Sequence, residues 1–169
     1  MNSEKTQIAR RYITAPARWL LEHVDFAYKT VLHHGEGKAF PDTRALTEAG
    51  AQVRSYEPSS SDAFTATWPV DNFFDIGVSN YVFNTLTMHD RKSAFLDMLN
   101  CCNRCLISVR TDRVPGMPHA DGVITQRGTF QSQLGAGQWV DYFRRVSPEW
   151  ASVSLLHNGG HFAIIDVSR

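Results

Sequence analysis

The sequence predicts an α/β domain whose mainly parallel sheet ends in an antiparallel β-hairpin. Three observations carry that expectation. Short β-prone runs alternate with longer helix-like stretches along most of the 169 residues, the pattern of strands joined by crossover helices. Two runs, FFDIGVS at 73–79 and CLISV at 105–109, are nearly continuously apolar, as strands covered on both faces are. The final segment, VSLLHNGGHFAIIDV, sets two β-prone runs about Asn158, Gly159 and Gly160, a strong hairpin signal.

The elements follow in order. Residues 5–24 carry a helical pattern interrupted at Pro16, beyond which Trp19, Leu20, Leu21 and Val24 cover one face. Residues 1–29 are therefore read as an N-terminal helical cap. Thr30, Val31 and Leu32 begin a strand that runs into Gly35 and Gly37, and the helix that follows, carrying Thr43, Leu46 and Ala49, is closed by Gly50. Gln52 to Tyr56 is a second strand, punctuated by Glu57 and Pro58. Residues 58–72 are too few for a full helix and strand, so one crossover is trimmed. After the strand at 73–79, a helix from about Asp90 to Cys102 presents Phe95, Leu96, Met98 and Leu99 to one side. Residues 110–133, with Pro115 and Pro118, read as irregular, and such long segments inside compact domains are usually functional or disordered. A helix around Gln138 to Arg145 precedes the hairpin. A chain of this length forms one domain, residues 1–169, with its own core.

Composition bounds the function. Lys plus Arg and Asp plus Glu both number 17, so there is no general attraction for a polyanion, and nucleic-acid contact would need a local patch. The opening MNSEKTQIARR lacks the apolar centre of a signal peptide, and no run approaches the roughly 20 apolar residues of a membrane helix. A soluble, cytoplasmic protein without a membrane partner is expected, and no motif speaks to its oligomeric state. Cys101, Cys102 and Cys105 in CCNRC have no second cysteine pair to complete a zinc site. His33, His34, His157 and His161 make no H-x-x-x-H pattern. No metal is expected.

Gly35 and Gly37 occupy the first strand-to-helix turn, where a backbone without Cβ atoms can approach a ligand and helix amides are free. The same pair would also serve a plain structural turn. Glu57 closes the next strand twenty residues after Gly37, where an acid accepts hydrogen bonds from ribose hydroxyls. Together the two features favour a nucleoside-containing cofactor. Its crevice lies at the carboxyl ends of the strands, which Ser79 to Asn84 should face.

The stretches TAPARWLLE, VLHHGEGKAFPDTRALTEAG, SYEP, NYVFNTL, LISVR and DGVITQRGTFQ occur in an order that resembles the methyltransferase family associated with DNA phosphorothioation. Through that family the chain resembles class I S-adenosylmethionine-dependent methyltransferases. The resemblance covers most of the chain. It implies a single Rossmann-like class I methyltransferase domain with a seven-strand-type sheet and S-adenosylmethionine as cofactor. It also implies cofactor contacts from Gly35, Gly37 and Glu57, with His33, Glu36, Pro58, Asn80 and Tyr81 as further candidates around them. The methyl acceptor is left open; nucleic acid enters only because the family accompanies a DNA-modification system, which is association rather than physics. The chain departs from the pattern at His33, where an acid is usual and Glu36 is the substitute carboxylate, and at Ala39, preceded by Lys38, where a third glycine is usual. A methyltransferase-like module that binds cofactor or a partner without turnover is the alternative. A dinucleotide-binding dehydrogenase domain is a third reading, which the terminal hairpin and the missing glycine disfavour.

Methyl transfer from a sulfonium asks mainly for alignment, with a base only where the acceptor must lose a proton. Asn80 and Asn84 are candidate acceptor contacts, with capping of the next turn the other role for Asn80. In QRGTFQ, Arg127, Thr129 and Gln131 form either a pocket wall, with Arg127 on a phosphate or carboxylate, or a β-like segment with one solvated face. His34 is either a proton acceptor or a packed side chain. Trp68, Phe73, Phe74, Tyr81, Phe83 and Phe130 include candidates for a stacking platform, and Asp62 for an adenine-side contact.

Overall fold

The computed structural model describes residues 11–37 and 40–169. Helix α1 (Ala15–His23) begins where Thr14 accepts a hydrogen bond from the Ala17 amide. Pro16, which the helical pattern reads as an interruption, sits in the first turn, where its missing N–H is no loss. Strand β1 (Thr30–His34), α2 (Pro41–Glu48), β2 (Gln52–Tyr56), the short α3 (Ala63–Ala66) and β3 (Phe74–Asn80) follow. A 3-10 turn at Phe83–Thr85 then leads to α4 (Met88–Cys101) and β4 (Cys102–Arg110). The remainder is β5 (Met117–His119), β6 (Gly122–Ile124), β7 (Phe130–Ser132), α5 (Ala136–Val146), β8 (Ser152–Asn158) and β9 (Phe162–Ser168).

The main sheet has six strands in the order β2-β1-β3-β4-β9-β8. The first four are parallel and the last two pairings antiparallel. Among the described residues there is no seventh strand in this sheet; the segment between β2 and β3 holds one helix of 4 residues, the trimmed crossover. Residues 110–133, by contrast, are not irregular: they form a second sheet, β5-β6-β7. Its strands have 3 residues each, too short for a periodic pattern to appear.

Adjacent residues of the central strands face opposite layers, as the pleat requires. Leu32, Ile107 and Ile165 pack with Phe95, Met98 and Leu99 of α4 and with Trp139 and Phe143 of α5. Val31, Leu106 and Ile164 pack with Leu20 of α1 and Leu46 of α2. Helix α4 passes into β4 with no residue between them, at Cys101 and Cys102. All three cysteines are free and buried. The contact with Cys102, and then burial, push the Cys101 thiol up, away from thiolate chemistry.

Arg91, on α4, is fully buried. Its Nε donates to the Phe83 carbonyl at 3.2 Å, Nη2 to the Leu86 carbonyl at 3.1 Å and Nη1 to Asp121 Oδ2 at 2.7 Å. The guanidinium lies 4.7 Å from the Trp139 ring centroid. One side chain thus joins α4, the 3-10 turn, the second sheet and α5. Among the described residues, no helix is long and apolar enough to cross a membrane, and no group of three His, Cys, Asp or Glu side chains is placed to hold a metal.

Candidate functional site

β1 has β2 on one side and β3 on the other, so connections leave it in opposite directions and a crevice opens at the carboxyl ends of these strands. A cleft of about 450 Å³ lies there, within the roughly 300–1,000 Å³ of small-molecule sites.

The glycine turn forms its floor. Gly35 has φ +74, and a Cβ on it would stand 2.2 Å from Val82 Cγ2. Its N–H donates to the Tyr56 carbonyl at 2.7 Å. Gly37, also at φ 74, donates its N–H to Glu57 Oε2 at 3.3 Å. The other oxygen, Oε1, accepts from Ser59 Oγ at 2.7 Å and from the Ser59 amide at 3.3 Å. Glu57, 7% exposed, is thereby fixed between the turn and the end of β2, and both it and Pro58 line the cleft. The departures at Lys38 and Ala39 lie outside the described residues.

His33 and Glu36 also line the cleft and meet at Thr43. Thr43 Oγ1 donates its proton to Glu36 Oε2 at 2.6 Å, so His33 Nδ1, 2.7 Å from the same oxygen, carries a hydrogen and donates. Nε2 remains an acceptor. Burial raises the Glu36 pKa, opposed by its hydrogen bonds to Ser55 and Thr43. Burial outweighs the carboxylates of Asp42 and Glu57 to push His33 down to about 4. His34, whose Nδ1 lies 3.2 Å from Ser79 Oγ, is also pushed down to about 4 by burial and then by His33. In the unfolded chain both titrate near 6.5. Between these values the unfolded chain binds more protons than the folded one, so stability is lost as pH falls from 6.5 toward 4, at up to about 1.4 kcal/mol per histidine per pH unit. The urea midpoint is expected to fall steadily through this window, with a smaller slope in His34→Gln. A midpoint that stays level there would contradict neutral burial of the pair.

Asn80 ends β3 and is 8% exposed. Its Nδ2 donates to Asp42 Oδ2 at 2.9 Å. Asp42 also accepts from the Thr14 amide and from Thr14 Oγ1, each at 2.7 Å. A carboxylate only accepts, so the Asn80 amide has one orientation. Its Oδ1 is buried without a hydrogen-bond partner among the described residues. Tyr81, next in the chain, lines the cleft with its backbone in the left-handed region, φ 64, a strained setting for a side chain with a Cβ.

Asp90, Ser93, Ala94 and Asp97 of α4 share one stripe at i, i+3, i+4 and i+7 and form another wall. Arg110 of β4, bound to Asp112 with Nε–Oδ1 at 2.9 Å, and Gln131 of β7 complete the lining.

Several candidate residues are not brought here. Asn84 is fully buried and its Oδ1 accepts from the Arg110 amide at 3.0 Å; it braces the 3-10 turn against the end of β4 and does not line the cleft. Arg127 is exposed in the turn between β6 and β7, outside the lining; from the same motif Gln131 reaches the cleft instead. Asp62 caps α3 by accepting from the Thr65 amide at 2.8 Å and stands apart. Of the candidate aromatics, Trp68 and Tyr81 line the cleft, whereas Phe74, Phe83 and Phe130 are core and Phe73 is half exposed. Sequence reasoning passed over Tyr56, whose ring stacks on His34 at 5.7 Å and meets Trp68 edge-on at 4.8 Å. It also passed over Asp42, which looks like an ordinary first-turn acid. Asp90 and Asp97 could have been found from their helical spacing.

No family profile matches the chain, and no curated protein matches it in sequence. Solved structures do match. A 1,6-didemethyltoxoflavin-N1-methyltransferase from Burkholderia thailandensis, with bound 1,6-didemethyltoxoflavin and S-adenosylhomocysteine, superposes with TM-score 0.65 at 15% identity over 90% of this chain and 76% of its own. DhpI in complex with SAM and HEP gives 0.68 at 12% identity, over 91% and 84%. A protein from Rhodobacter sphaeroides named as a zinc-dependent alcohol dehydrogenase gives 0.69 at 14%, over 94% and 91%. At such identities the likeness speaks for the fold alone, and the chain has the Rossmann-like α/β fold, with mainly parallel sheet and antiparallel hairpin, found in these methyltransferases.

Proposed function

We propose that the cleft binds S-adenosylmethionine and that the protein transfers the cofactor's methyl group to an acceptor held in the same cleft. The observation that carries this reading is the Glu57 carboxylate, immobilised beside Gly37 at the end of β2, where a nucleoside sugar is gripped in folds of this kind. The glycine floor supports it, since a Cβ at Gly35 would collide with Val82. The unpaired Asn80 Oδ1 offers a further acceptor for a cofactor or acceptor N–H. Methyltransferases of the same fold are seen with SAM or SAH bound. The antiparallel β9–β8 edge separates this sheet from the all-parallel dinucleotide type.

In this reading Glu57 receives the sugar hydroxyls, and Gly35, Gly37 and Pro58 let the cofactor approach the backbone. Neutral His33, with Glu36 and Tyr81, serves its polar end, which leaves Asn80 Oδ1 for the acceptor. When bound, the cofactor supplies an electrophilic methyl group on sulfur. The residues around it hold donor and acceptor in line and exclude water. The chain works as one unit, the described part of its N-terminal cap, residues 11–29, being moored through Thr14 to Asp42. The DNA-modification link implied by the resemblance finds no support in the described lining, where Glu36, Asp42, Glu57, Asp90 and Asp97 outnumber Arg110; an acidic cleft repels phosphates.

Calorimetric titration with S-adenosylhomocysteine should show binding to the wild-type chain. Glu57→Ala should weaken it at least tenfold, about 1.4 kcal/mol, in a chain that circular dichroism shows to be folded. Equal affinities would remove Glu57 from the site. Tight cofactor binding with no S-adenosylhomocysteine released across amine, alcohol and nucleic-acid acceptors would instead describe a module without turnover.

A further inference from the structure

We propose that the methyl acceptor is a small amine, recognised by carboxylates on α4 and by two amide oxygens that have no hydrogen-bond partner among the described residues. This rests on the methyltransferase reading above. Along the wall formed by α4, Asp90 and Asp97 stand seven positions apart with Ser93 and Ala94 between them. The two acids are thus separated by about 10 Å of helix, with small side chains leaving room between. Both are exposed at the cleft.

The second observation is independent of this charge. Asn80 Oδ1 and Gln131 Oε1 are both buried, without hydrogen-bond partners among the described residues, and both residues line the cleft. An unpaired buried acceptor is unfavourable, a cost that a ligand N–H would relieve. Asn80 cannot turn its NH2 group inward instead, because Nδ2 is committed to Asp42. A carboxylate or phosphate ligand would meet two bare oxygens and five acids. Among the described residues, the one Lys or Arg in the lining is Arg110, which is engaged by both oxygens of Asp112. An ammonium or neutral N–H compound meets partners of the right sign throughout.

The transfer balances with these residues. A protonated acceptor nitrogen first gives one proton to Asp90, Asp97 or water, which exposes its lone pair. The nitrogen then bonds the methyl carbon as the carbon–sulfur bond yields its electron pair to sulfur, and the positive charge moves from sulfur to nitrogen.

The test uses the full chain, titrated first with S-adenosylhomocysteine and then, once loaded, with benzylamine, benzoate or a short single-stranded oligodeoxynucleotide. Benzylamine should bind at least tenfold more tightly than benzoate, and the oligodeoxynucleotide should not bind. The preference should shrink at high salt, because the α4 acids are exposed and screened. It should also shrink in Asp90→Asn/Asp97→Asn, which should keep its affinity for S-adenosylhomocysteine. Equal affinity for the two small probes, including no detectable binding of either, overturns the proposal. So does a preference for benzoate or the oligodeoxynucleotide. Failure in the first titration overturns the methyltransferase reading, and this proposal with it.

Discussion

Replacing Arg91 with methionine should lower the thermal midpoint by on the order of 10 °C. Methionine keeps most of the apolar stem and removes the guanidinium, so the loss is one of pairing rather than of volume. Asp121, whose side chain is 14% exposed, then keeps a carboxylate with no cation beside it, and its Oδ1 already lacks a partner among the described residues. The Phe83 and Leu86 carbonyls lose their donors at the same time. Removing one member of a buried ion pair costs about 3–5 kcal/mol, and each kcal/mol moves the midpoint of a chain of this size by about 2–4 °C. Calorimetry measures it. Adding Asp121→Asn to Arg91→Met should recover part of the loss, because the stranded charge is gone. A single-variant shift below about 3 °C would mean that Arg91 contributes little to stability.

Gly35→Ala should abolish detectable binding of S-adenosylhomocysteine while leaving a folded, less stable chain. Two costs add. An L residue at φ +74 loses about 1–2 kcal/mol to backbone sterics, and its Cβ would overlap Val82 Cγ2 at 2.2 Å. Val82 is β-branched and cannot swing freely, so relief comes from moving the backbone after β1 or after β3. Both segments line the cleft. Val82→Ala in the same chain should remove the collision but not the backbone cost. The double variant should therefore be more stable than Gly35→Ala and less stable than Val82→Ala. Circular dichroism reports the fold, and titration calorimetry the site. Wild-type affinity in Gly35→Ala would show that the turn does not approach the ligand.

The parts of this molecule that local chemistry dictates could be read in the sequence. Residues 74–79 and 105–109 sit in runs whose nearly continuous apolar character marks two-sided burial. Asn158-Gly159-Gly160 allows the chain to reverse between β8 and β9. The brevity of the β2–β3 connection foretold the trimmed crossover, though not that the sheet would have six strands rather than seven. Illegible were the features that depend on chain segments meeting in space. Nothing local distinguishes Asp42 from any helix-opening acid; its bonds run to Thr14 and Asn80, 28 and 38 residues away. Asn84 belongs to the motif that suggested an acceptor contact, yet the 3-10 turn directs it to the Arg110 amide. Arg127 and Gln131 lie on one short hairpin, and only its pairing decides which of them is carried inward. The second sheet could not be foreseen from three-residue strands among prolines and glycines.

The seam at Cys101 and Cys102, where helix becomes strand without a spacer, has a mechanical consequence. With Arg91 bolting the opposite end of α4 to its surroundings, the helix is clamped at both extremities. Its row of acids is a fixed fence rather than a swinging flap, so a guest would be selected by whether it fits between rigid posts.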